Sequence, residues 1–124
     1  MKYVLAMALM GVGSALAATP TYTAAQASSG AAVFKAQCAA CHGPKLNNGG
    51  APHLAGADFI KKWSPNTLDD FYYLMSTTMP QTHPGALTEA QYTNTLAYIL
   101  QQNGFKASTK PLSSKNLKQL SFKK

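Results

Sequence analysis

The sequence predicts an all-α domain, and three observations carry that prediction. Apolar residues recur at helical spacing in three separate stretches, capping residues stand where those stretches begin, and no window alternates with the period of two that a half-buried strand requires.

The elements follow in chain order. Met1-Lys2-Tyr3 supplies a positive charge, Val4 to Leu16 is an apolar run broken only by small residues, and Ala15-Leu16-Ala17 is an A-x-A cleavage pattern. Residues 1–17 therefore read as a secretory signal peptide, cut before Ala18, which sends the mature chain to a periplasm. An uncleaved anchor is the weaker alternative, because the run falls short of the roughly 20 apolar residues of a spanning helix. Residues 18–29 are small and polar, lack a sustained apolar period, and read as a flexible leader.

Ser28 or Ser29 caps a first helix from about Gly30 to Ala40, with Val33, Phe34, Gln37, Cys38 and Cys41 on one broad face. Glycine and proline cluster between Gly43 and Gly56, which makes that segment a loop, and a short helical turn is expected from Asp58 to Trp63. Ser64-Pro65 starts the next helix. Its stripe is Leu68, Phe71, Tyr72 and Met75, its first turns carry Asp69 and Asp70 where negative charge suits the dipole, and it ends before Met79-Pro80. Thr88 and Gln91 form a capping box for the last helix, whose stripe is Tyr92, Leu96, Ile99 and Leu100 and whose stop is Gly104.

The chain has 124 residues and a formal net charge of +7, from eleven basic residues, all lysine, against four acids. The charges divide the chain. Residues 30–104 form a near-neutral domain, whereas Lys106, Lys110, Lys115, Lys118, Lys123 and Lys124 make residues 105–124 a basic tail without an acid. Leu112, Leu117, Leu120 and Phe122 lie among those lysines, so a short amphipathic helix near Ser114 to Phe122 and a disordered solubilising tail are both open readings. The functional reading of the tail is electrostatic docking to an acidic redox partner or to anionic lipid headgroups. Nucleic acid is excluded as a partner by export and by the absence of arginine.

The chemistry rests on Cys38-Ala39-Ala40-Cys41-His42. In an oxidising compartment two cysteines suggest a disulfide, yet a bridge between Cys38 and Cys41 closes so small a ring that it restrains the unfolded chain little. Three readings remain: a redox dithiol, half of a zinc site, or a c-type haem attachment. A thioredoxin-type dithiol sits after a strand in a βαβ setting, and none is expected here. Structural zinc wants four ligands, and beyond these residues only His53 and His83 exist. The haem reading fits the pattern: two thiols one helical turn apart add to the two porphyrin vinyl groups, and His42 is the proximal iron ligand. It also answers a size problem, since a domain of about 75 residues is smaller than a single apolar core comfortably supports.

With these residues in place the chain resembles the class I cytochromes c, in particular the small bacterial periplasmic ones, from about Gly30 to Phe105. Four motifs appear in the family's order. Gly30, Phe34 and Cys38 resemble its N-terminal helix, whose glycine permits a close crossing with the C-terminal helix, and Leu96-Ala97-Tyr98-Ile99 resembles the partner motif of that crossing. Ala51-Pro52-His53-Leu54-Ala55-Gly56 is similar to the loop in which a proline carbonyl accepts the Nδ1 hydrogen of the haem histidine, giving Pro52 a role through its backbone. Met79-Pro80 resembles the distal-ligand motif, with the Met79 sulfur on the iron.

The residues weigh the distal assignment independently. Met1, Met7 and Met10 leave with the signal peptide, Met75 belongs to an apolar helix stripe, and Met79 stands after that helix before a proline that stiffens the turn. His53 and His83 are the remaining competitors, the first at the crevice edge and the second in an exposed loop. Trp63 is a candidate for a haem propionate contact, with plain core packing as its alternative.

The resemblance implies one covalently bound haem c with histidine and methionine ligands, in a monomeric protein with no catalytic residue. The expected function is a periplasmic single-electron carrier between a dehydrogenase or other donor and an oxidase or cytochrome acceptor. Two alternatives stand beside it: a tightly bound cytochrome subunit of a periplasmic dehydrogenase, and a haem sensor or peroxidase-like protein with a labile methionine.

Overall fold

The computed structural model describes residues 18–124. The signal-peptide reading of residues 1–17 lies outside them. Five α-helices form the domain: α1 (Ala24–Gln37), α2 (Ala39–His42), α3 (Ala57–Trp63), α4 (Leu68–Thr78) and α5 (Glu89–Gln102), followed by a 3₁₀ turn at Leu117–Gln119. The expected all-α fold is what the chain adopts.

The first helix starts earlier than the serines at 28 and 29 suggest. Thr23 and Gln26 form a reciprocal capping box, the Thr23 hydroxyl accepting the Gln26 amide and the Gln26 side chain accepting the Thr23 amide, each at 3.1 Å. Residues 18–29 are consequently not a free leader. Tyr22 is 1 % exposed and donates its hydroxyl to the Phe105 carbonyl. The Gln26 side chain also brackets Leu112, donating to its carbonyl at 2.7 Å and accepting its amide at 2.8 Å.

α1 packs against α5 more extensively than any other pair of elements. The crossing is close because Gly30 has no side chain: a Cβ there would lie 1.8 Å from the Asn94 carbonyl oxygen. Phe34 and Tyr98 flank the crossing, with ring centroids 5.5 Å apart. Replacing Gly30 by alanine gains about 1 kcal/mol of helix propensity but drives a methyl group into backbone that cannot rotate away. The expected net result is a loss of about 2 kcal/mol, the range of overpacked cores, measured by denaturant unfolding of the holoprotein.

α4 likewise has a different start from the Ser64-Pro65 expectation. Ser64 closes α3, its amide bonding to the Ile60 carbonyl at 2.8 Å. The cap is Thr67, in a capping box with Asp70. At α5 the Thr88–Gln91 box forms as expected.

The basic tail is folded. Leu112, Leu117, Leu120 and Phe122 are buried, while its lysines are exposed. Phe122 meets Phe59 and Phe71 edge-on at 5.1 and 5.5 Å, which inserts the end of the chain behind α3 and α4. Backbone bonds hold it there: the Leu68 amide to the Leu120 carbonyl at 2.8 Å, the Ala18 amide to the Gln119 carbonyl at 2.7 Å, and the Ser121 amide to the Ala18 carbonyl at 3.1 Å. The disordered reading of the tail is thus corrected, and its order comes from apolar burial rather than from an amphipathic α-helix.

Candidate haem site

α1 is interrupted at Cys38, whose φ and ψ of −123° and −34° lie outside the helical range, and the chain resumes as the single turn α2. This break presents Cys38 and Cys41 to one cleft, Cys38 half-buried and Cys41 exposed, both as free thiols. Burial, reinforced by the neighbouring Cys41, pushes the Cys38 thiol up to about 11, so it is protonated at neutral pH.

His42 ends α2 and is buried. Its Nδ1 lies 2.8 Å from the Pro52 carbonyl oxygen. A carbonyl only accepts, so Nδ1 carries the proton and Nε2 keeps its lone pair for a metal. The loop that supplies Pro52 is folded tightly over the attachment turn. Its Ala51 amide donates to the Cys41 carbonyl at 3.0 Å, and a Cβ on Gly49 would lie 2.2 Å from that same oxygen. Asn103, at the end of α5, ties the far side of the loop by accepting the Gly56 amide at 3.0 Å and donating to the Leu54 carbonyl at 2.9 Å. The sequence carries no signal for this role of Asn103, whose place after the last helical stripe marks only a helix end.

The opposite wall comes from α4 and the residues after it. Met75 and Met79 both line the cleft, Met75 buried on the helix and Met79 half-buried at its C-terminal cap in extended conformation. The Met79 backbone is held on both sides, its amide donating to the Met75 carbonyl at 2.9 Å and its carbonyl accepting the Tyr92 hydroxyl at 2.6 Å. Trp63 also borders the cleft while stacking edge-on with Phe71 at 4.9 Å, so it belongs to the core and to the site wall together. His53 is exposed at the rim, and His83 does not line the cleft.

The cleft has a volume of about 650 Å³. Phe59, Phe71, Leu74 and Ile99 contribute to a predominantly apolar lining. Two thiols on adjacent turns, an imidazole nitrogen with its partner nitrogen already bonded, and a thioether facing the same apolar space fit a covalently held haem. Among the described residues no group of three or more His, Cys, Asp or Glu side chains is arranged to hold a metal ion, which leaves the zinc alternative without a ligand set.

Fold and cleft together define a c-type cytochrome domain, a class whose haem chemistry is electron transfer. Residues 25–99 match the family model described as cytochrome C oxidase, cbb3-type, subunit III, and the chain belongs to that family. The domain therefore carries covalently bound haem c with its iron. No curated protein and no solved structure matches the chain.

Proposed function

We propose that this protein is exported to the periplasm and acts there as a carrier of single electrons, with one haem c tethered by Cys38 and Cys41 and ligated by His42 and Met79. The observation that supports this most is the pairing of walls: the Pro52 carbonyl orients His42 on one side of the cleft, and Met79 borders the other. When bound, haem c supplies a one-electron iron couple. His42 and Met79 would hold the iron with the chain's own side chains, which would leave no ligand site for a substrate, and the soft Met79 thioether would favour the reduced state relative to a second histidine. Pro52 raises the basicity of the imidazole through its carbonyl. Phe59, Phe71 and Ile99 exclude water from the centre of the cleft.

Optical spectra test the ligand set. The ferric holoprotein is expected to show the weak far-red charge-transfer band of methionine ligation, and Met79→Ala to lose it. The same substitution is expected to lower the midpoint potential by on the order of 0.1 V, within the roughly 0.8 V span that axial ligands control. Survival of the band in Met79→Ala would rule out the assignment.

The family description, which names an oxidase subunit, favours a second reading in which the domain is held within a larger respiratory complex. The exposed lysines of the folded tail support docking to an acidic redox protein under either reading. Gel filtration with candidate partners at low and high salt separates a diffusing carrier from a permanent subunit.

A further inference from the structure

Tyr92 stands in the first turn of α5 and is 4 % exposed. Its hydroxyl fastens both ends of one loop. It donates to the Met79 carbonyl at 2.6 Å and accepts the Leu87 amide at 3.3 Å. From Gln81 to Ala86 every residue is exposed, so no buried side chain anchors the intervening chain. Within the loop the His83 amide bonds to the Pro80 carbonyl at 2.9 Å and the Ala86 amide to the His83 carbonyl at 3.2 Å, and a long 3.4 Å contact joins the Gly85 amide to Met79. These bonds shape the loop locally; the tie to α5 is the tyrosine hydroxyl.

We propose that Tyr92 is a positioning residue that sets how readily Met79 leaves the iron. The inference rests on the reading of Met79 as distal ligand and extends it to a residue that does not touch the metal. A thioether is neutral and needs no proton to depart, so its retention depends on how firmly its backbone is held in the bound position. The Met79 amide is fixed by α4, and its carbonyl is fixed by α5 through Tyr92. Removing the hydroxyl leaves that carbonyl with only the long Gly85 contact and leaves the Leu87 amide without its acceptor. Phenylalanine keeps the ring, including its edge-on packing with Tyr72 at 6.4 Å, so the substitution isolates the hydrogen bonds.

The test measures carbon monoxide binding to the reduced holoprotein, which requires Met79 to vacate the iron. Tyr92→Phe is expected to bind about ten-fold faster, the change that follows from losing one buried hydrogen bond to a carbonyl. Tyr22→Phe is the matched control, because it also removes a tyrosine hydroxyl bonded to a backbone carbonyl, that of Phe105, and does so away from the cleft. It is expected to bind at the wild-type rate. Equal rates in all three proteins, or equal acceleration in both variants, overturn the proposal. The far-red band in Met79→Ala keeps the two ideas apart: its survival removes the ligand reading itself, whereas its loss together with an unaltered rate in Tyr92→Phe overturns only the role of Tyr92. Should Tyr92→Phe not accumulate as holoprotein, amide exchange at Leu87 in the wild type gives the second measurement. Imidazole added to the ferric protein to displace methionine is expected to speed that exchange about ten-fold, and unchanged exchange overturns the proposal.

Discussion

The double substitution Cys38→Ser, Cys41→Ser, which removes both thiols proposed to tether the haem, is expected to leave an expanded chain that keeps helical signal but loses fixed aromatic packing. Helix caps at Thr23, Thr67 and Thr88 are local and persist. The core is another matter. Without its filler, an apolar cleft of about 650 Å³ leaves Phe59, Phe71 and Ile99 without packing partners on one side, a large deficit beside the roughly 5–15 kcal/mol of stability such a domain commands. The cleft therefore floods or collapses, and Phe59, Phe71 and Trp63 lose their edge-on order. Near-ultraviolet circular dichroism and binding of a hydrophobic dye check this result. A haem-free variant with native near-ultraviolet signal and no dye binding would contradict it.

The second large effect is expected far from the attachment motif, at Phe122→Ala. Truncation of a buried phenylalanine costs about 3–5 kcal/mol, and here it also removes edge-on contacts with Phe59, Phe71 and Phe105. For a domain of this size each kcal/mol corresponds to about 4 °C or more, so the melting temperature should fall by on the order of 15 °C. Thermal unfolding followed at the haem and in the far-ultraviolet checks the size of the effect. A free solubilising tail would give almost no change. Lys118→Ala, on an exposed side chain of the same segment, serves as the surface control and is expected to stay within about 0.5 kcal/mol of wild type.

The haem attachment motif was legible because its residue types and spacing are themselves the chemistry. The Thr88–Gln91 box and the stripe from Tyr92 to Leu100 were legible because α5 buries one face and follows the helical period closely. The tail was not, for a physical reason: Leu112, Leu117, Leu120 and Phe122 are buried from irregular backbone, so no period links them, and the surrounding lysines dominate the composition. The start of α1 was missed although its capping pair, Thr23 and Gln26, is written in the sequence; the polar run from Ala18 to Ser29 masked it. That His42, Pro52 and Met79 border one cleft could be expected from motif and resemblance. Tyr92 and Asn103 could not, because each acts through backbone groups brought near only by the tertiary fold.

The pairing of Ala18 with the segment Gln119–Ser121 also links residues remote from the attachment motif to the wall of the cleft. Phe122 follows that pairing directly and packs edge-on against Phe59 and Phe71, both of which line the cleft. A loosening of either paired segment is therefore felt at the aromatic wall, although neither contributes a side chain to the cleft itself.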